Sequence, residues 1–135
     1  MPNGPMVNLA SANEHAPEIE RRIWVVMERS RSSRHDLPHE QFPQLLTIHV
    51  VLNGVKMLNF FPPVGGTSDC LSPETIVSSE VLDCKKHVCL PVGQHCQVHE
   101  EETPRNSQAA RTKGAISLGP SGDLQGGYEF MAPDA

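Results

Sequence analysis

The segment PQLLTIHVVLNGVKMLNFF, residues 43–61, leaves a folded chain few options. A proline opens it and FFPPVGG closes it, so helix-interrupting residues bound it on both sides. Its one clear polar stripe is His49, Asn53 and Lys56, at i, i+4 and i+7. Almost everything else is apolar, and a helix apolar on most sides belongs inside something. Gly54 costs such a helix about 1 kcal/mol relative to alanine, which tertiary packing has to offset. The expectation is a buried helix from about Pro43 to Phe60.

Other prolines punctuate the chain in the same way. Pro17 opens HAPEIERRIWVVMERSRSSRH, where Glu18 and Glu20 suit the positive end of a helix and Arg29 and Arg31 the negative end. Ile19, Ile23 and Val26 give an apolar stripe, widened by Trp24 and Met27, and predict a helix from about Pro17 to Arg31. SPETIVSSE reads as a short helix with Ser72 as N-cap, Pro73 next and Glu74 in the first turn. After Asp83 the pattern changes. Val88, Leu90 and Val92 alternate, then Cys96 and Val98, interrupted by Pro91 and Gly93, which predicts an edge strand or a bulged pair. A polar loop from Glu100 onward leads to GAISLGPSGDLQGGYEFM, a hairpin with its turn over residues 120–123. Helices to about residue 80 and strands after it predict an α+β chain: 1–80 helical, 81–135 a small antiparallel β unit.

Leu, Ile, Val and Phe make up 32 of the 135 residues. That share of about 24% lies just above the roughly 20% at which disorder becomes the default, so a core is expected, though a modest one. Net charge is −5, which alone argues against nonspecific nucleic-acid binding. The charge is nevertheless divided by region. Arg21, Arg22, Arg29, Arg31 and Arg34 share a stretch with Glu28 as its one acid, whereas from Phe61 onward acids outnumber bases ten to five. There is no apolar run long enough to span a membrane. With no secretory signal visible, the four cysteines are expected to be free thiols in an intracellular, reducing compartment, nuclear or cytoplasmic.

The order of motifs carries a resemblance. VNLASANEHAPEIERRI, then LNFFPPVGGTSDCLSPETIVS, DCKKHVCLPVGQHCQVHEE and RTKGAISLGPSGDLQGGYEFM resemble the pol polyprotein of copia-type long-terminal-repeat retrotransposons, from about Val7 to Met131. The matching region is the end of the integrase catalytic core and the small domain beyond it. The resemblance implies that residues 1–80 are terminal helices of a ribonuclease-H-like core and that the β unit closes into a small barrel. It also implies that Glu20, followed by Arg21, matches the last of three acids that hold Mg²⁺ or Mn²⁺ for DNA strand transfer.

The two aspartates of that triad belong to strands ahead of this helix, and no Asp stands among the 19 residues before Glu20. A two-metal site needs several converging carboxylates. The expectation is therefore a truncated integrase that takes part in DNA integration within its polyprotein, is inactive alone and has no cofactor of its own. Arg21, Arg22, Arg29, Arg31 and Arg34 are candidates for phosphate contacts, giving weak, salt-sensitive DNA binding. Self-association through exposed apolar helix faces is the other expected partnership. A non-enzymatic domain that binds nucleic acid or protein is the alternative. Cys84, His87, Cys89, His95, Cys96 and His99 also invite a zinc reading, but CxxHxC and HCxxH are too closely set for two ligand pairs separated by a loop.

Overall fold

The computed structural model describes residues 16–100 and 108–133; residues 7–15 of the expected match and most of the acidic loop after Glu100 lie outside the described residues. Prolines set the helix boundaries. The first helix, α1, spans Pro17–His35, with Pro17 at its start, Glu18 and Glu20 in its first turn and Arg34 and His35 in its last. It runs four residues past the expected end at Arg31, because the first residue disfavoured from helical geometry is Leu37, which precedes Pro38. The second helix, α2, spans Gln44–Phe60. Pro43 stands just outside it with ψ 146°, and its carbonyl accepts the first helical hydrogen bond from Thr47 N at 3.1 Å. Phe61 is extended, as the residue ahead of Pro62 should be.

Two short helices follow. In α3, Pro73–Ser78, the Ser72 hydroxyl accepts from Thr75 N at 3.1 Å, the expected cap. One turn, α4, spans Cys84–His87 and was not expected. Asp83 caps it, its carboxylate accepting from Lys85 N at 3.0 Å.

Three strands complete the chain: β1 His95–His99, β2 Thr112–Pro120 and β3 Tyr128–Met131, antiparallel in the order β1-β2-β3. The α+β class is as expected. Two details differ. The sheet is open rather than closed into a barrel, since three strands leave β1 and β3 as unjoined edges. The alternating residues Val88 to Val92 form no strand; Pro91 lacks an amide for a ladder, and Gly93 takes φ +80°. Pairing with β2 begins only there, with Gly93 N donating to Ser117 O at 2.7 Å and Ser117 N to Gln94 O at 2.9 Å. The β2–β3 register shifts between Ser117 and Gly119, a bulge that Gly119 admits at φ +108°.

The core consists of Leu46 and Val50 from α2, Val92 ahead of β1, Ile116 and Leu118 from β2, and Met131 from β3, with Leu37 and Phe42 packed against it. α2 therefore lies on the sheet. Its polar stripe turns toward the β2–β3 hairpin rather than away from it. Lys56 Nζ donates to Pro120 O at 2.6 Å, His49 Nδ1 lies 3.7 Å from a Glu129 carboxylate oxygen, and Asn53 stands beside Gly119. The Pro120 carbonyl takes up the Lys56 ammonium and the Glu129 carboxylate lies beside His49, so the polar stripe becomes an interface with the hairpin. α1 meets α2 where Ser30, its one buried residue, approaches Gly54; a Cβ on Gly54 would stand 3.4 Å from Ser30 Oγ. Ser30 turns its hydroxyl back to Val26 O at 2.8 Å, so the crossing leaves no polar group unmet there.

Full burial of α2 is not what the fold delivers. Leu46, Val50 and Gly54 are buried, but Leu45, Ile48, Leu52 and Val55 are exposed. The expected stripe on α1 is likewise open over Ile19, Ile23, Trp24 and Met27, because α2 packs on the later part of α1. Among the described residues no helix is long and apolar enough to cross a membrane.

Candidate functional site

Glu20 sits one turn into α1, its amide donating to Ala16 O at 3.0 Å, with its side chain exposed. At about 100° per residue, Glu20, Trp24, Met27 and Arg31 fall along one stripe of this helix. The sequence singles out Glu20 as an acid, Trp24 and Met27 as apolar and Arg31 as a cation, and the helix lines them up. Among the described residues no three His, Cys, Asp or Glu side chains converge as a metal ion requires, so Glu20 has no second and third carboxylate beside it.

The five arginines do not share one face. By the same rotation Arg22 and Arg29 lie on one side of α1, Arg31 and Arg34 on another, and Arg21 apart from both. Arg31 pairs with Glu28 one turn back, and the Arg34 guanidinium lies over the Phe42 ring, 4.8 Å from its centroid. Arg21, Arg22 and Arg29 are exposed. A duplex would therefore meet separate charges along a helix rather than a basic patch.

Between α1 and α2 runs a groove of about 200 Å³, floored by Val50 and Val51, with Met27, Phe42, Arg31 and Arg34 along its sides. Met27 and Val51 facing one groove fix the relation of the helices: the Trp24–Met27 side of α1 continues onto the outer side of α2. There Leu45, Ile48, Leu52 and Val55 stand at i, i+3, i+7 and i+10, all exposed. That spacing is the a/d alternation of a helix that packs against another helix. Sequence reasoning missed this stripe because its residues were absorbed into a helix taken as apolar all round; the 3–4–3 spacing was the available signal.

The Cys/His candidates are spread over α4 and β1 and hold structural contacts instead of a common centre. His87 bridges two loops, Nδ1 lying 3.0 Å from Asp83 O and Nε2 3.0 Å from Asp123 O. The Tyr128 hydroxyl accepts from Cys89 N at 3.1 Å and lies 3.3 Å from the Cys89 thiol. Burial first, and then that thiol contact, push the Tyr128 phenol above its ordinary pKa. Cys96 Sγ points to Ala115 O at 3.5 Å, within the sheet. Cys84 is exposed, and His95 and His99 are exposed on β1. The β2–β3 turn is organised by Asp123, whose carboxylate accepts from Gly127 N at 2.7 Å. That bond, more than any other contact, holds its carboxyl below the usual value. The turn has neither a lysine nor a following helix, so it is a hairpin connection and not a phosphate loop.

Compared with protein-family models, curated proteins and solved structures, the chain matches none.

Proposed function

We propose that these residues are the terminal helices of a copia-type retrotransposon integrase core with the small β unit that follows it. In the parent polyprotein they would contribute arginine contacts to DNA and one acid, Glu20, to metal-dependent strand transfer, in which a 3′ hydroxyl attacks a phosphodiester. One observation supports the reading above the others. Glu20 lies on the same side of α1 as a broad apolar surface that the chain's described residues leave uncovered. A ribonuclease-H-like core needs that relation, since the sheet carrying the other two acids has to pack against the helix whose glutamate faces it. The described residues do not fit Mg²⁺ or Mn²⁺ by themselves, because one carboxylate cannot hold two ions. No catalytic step is assigned to this chain alone.

The DNA part of the reading is tested by fluorescence anisotropy on a labelled duplex over a salt series. Binding is expected to be weak, with log K falling linearly against log salt by about 0.9 for each phosphate neutralised. Replacing Arg21, Arg22 and Arg29 together by alanine should flatten that slope by two to three units, as roughly one unit per lost contact requires. Absence of binding at low salt, or a slope unchanged by the triple substitution, would contradict it. In the same preparation, donor DNA ends supplied with manganese should give no joined product.

A further inference from the structure

A second cavity, of about 360 Å³, opens where the end of α1 meets α2 and the segment leading into β1. Ser33 and Asp36 border it from the end of α1, Asn53 and Met57 from α2, and Leu90 and Val92 from the run that forms no strand. Ser33 stands nine positions after Trp24, a rotation of about 180° around α1. The cavity therefore lies on the opposite side of α1 from the face left for the core sheet. We infer that it is a binding site for a small organic ammonium ion, with the cation against Asp36 and an alkyl or aryl body among Met57, Leu90 and Val92.

Charge sets the sign of the ligand. Among the described residues Asp36 is the one ionisable side chain on the walls. It is also the C-cap of α1, at the end where outward carbonyls carry partial negative charge and a cation, not an acid, is the stabilising group. The basic groups of the two helices are engaged elsewhere: Arg31 pairs with Glu28, Arg34 lies over Phe42 and Lys56 donates to Pro120 O. His35, the neighbour of Asp36, is exposed and does not line the cavity. An ammonium group placed here meets a carboxylate and the negative end of a helix together. Asn53 adds a neutral polar group. Its stripe neighbours His49 and Lys56 reach the hairpin, whereas Asn53 borders the cavity, where its amide oxygen can accept from an N–H.

Size and lining set the rest. A bare divalent cation takes about six or more oxygen ligands, which one carboxylate among apolar walls does not supply, so the cation has to bring an apolar body of its own. At the roughly 30 Å³ that a water molecule occupies in the liquid, the cavity holds about a dozen non-hydrogen atoms. That is the lower end of the range for small-molecule sites and too little for a helix or a folded partner. The inference does not rest on the integrase reading, since it uses neither Glu20 nor the Trp24 face.

Three compounds that share one apolar body test it. Phenylbutylammonium, phenylbutanol and phenylbutanoate are titrated into the isotope-labelled 135-residue chain and followed by amide chemical shifts. The ammonium compound should bind saturably, with shifts centred on Ser33, Asp36, Asn53 and Leu90. It should bind about fivefold or more tightly than the alcohol, as one solvent-accessible, hydrogen-bonded charge pair allows, and the carboxylate should not bind measurably. Asp36→Asn should remove that preference and leave affinity for the alcohol unchanged; asparagine is accepted at a helix C-terminus, so the fold is retained. Leu90→Ala should weaken ammonium and alcohol alike, by roughly threefold or more. Asp69→Asn, at an exposed position that does not line the cavity, should change neither. Equal affinity for the three compounds, an Asp36→Asn chain that keeps the preference, shifts confined to the groove beside Met27 and Val51, or no saturable binding would each overturn the proposal.

Discussion

Leu46→Ala should lower the unfolding free energy by about 2–5 kcal/mol, measured by urea denaturation, while Leu45→Ala changes it by about 0.5 kcal/mol or less. The two leucines are consecutive in α2 and belong to the same chemical class, yet their surroundings are opposite. Leu46 is 1% exposed and stands in the cluster that joins α2 to Val92, Ile116, Leu118 and Met131. Removing three carbons there leaves a void that neither the helix nor the sheet can close without sliding. Leu45 lies on the uncovered side, so its truncation removes surface that water already touches in the monomer. A domain of this size has only about 5–15 kcal/mol of stability in all, so Leu46→Ala should leave a large unfolded fraction in mild denaturant. Equal effects at the two positions would mean that α2 is rotated from the orientation described.

Gly93→Ala is the second large effect. Gly93 has φ +80°, and a Cβ there would stand 2.6 Å from both terminal carbons of Leu37, which packs on the core. The backbone share of the loss is about 1–2 kcal/mol, and displacement of Leu37 adds roughly as much again. Gly122→Ala separates the two contributions. Its φ is +91° but its Cβ would meet nothing within 4 Å, so it should lose only the backbone share. Thermal unfolding of both variants gives the difference, which measures how firmly the segment after α1 is clamped onto the start of the sheet. His39, whose Nε2 lies 3.1 Å from Gly93 O, belongs to the same clamp.

The helices were readable because their limits are local. Pro17, Pro43 and Pro62 act on adjacent residues, and Ser72 caps its own helix through Thr75, so a linear pattern contains the whole cause. The orientation of α2 was not local. His49, Asn53 and Lys56 form a polar stripe in any environment, and only the carbonyl of Pro120 and the carboxylate of Glu129, distant in sequence, turn it inward. The strands divide in the same way. GAISLGPSGDLQGGYEFM announces a hairpin through its turn residues, whereas β1, with one β-branched residue in five, is a strand because β2 pairs with it. Val88, Leu90 and Val92 had the better alternation and still formed no strand, since a proline and a left-handed glycine interrupt them.

Of the candidate site, the helix that carries Glu20 was legible from Pro17 and from the acids and arginines at its two ends, and so was the division of charge. The stripe Leu45, Ile48, Leu52 and Val55 was present in the sequence, but its meaning depends on which side of α2 the sheet takes.

The integrase reading depends on one physical statement: among the described residues nothing covers the Trp24 side of the helix pair. Trp24 is the chain's single tryptophan and is 64% exposed, so its fluorescence reports on that surface alone. In the dilute chain, emission should be red-shifted and strongly quenched by acrylamide. A blue-shifted Trp24, protected from acrylamide in the dilute monomer, would contradict the account, because some other part of the chain would then already occupy the face.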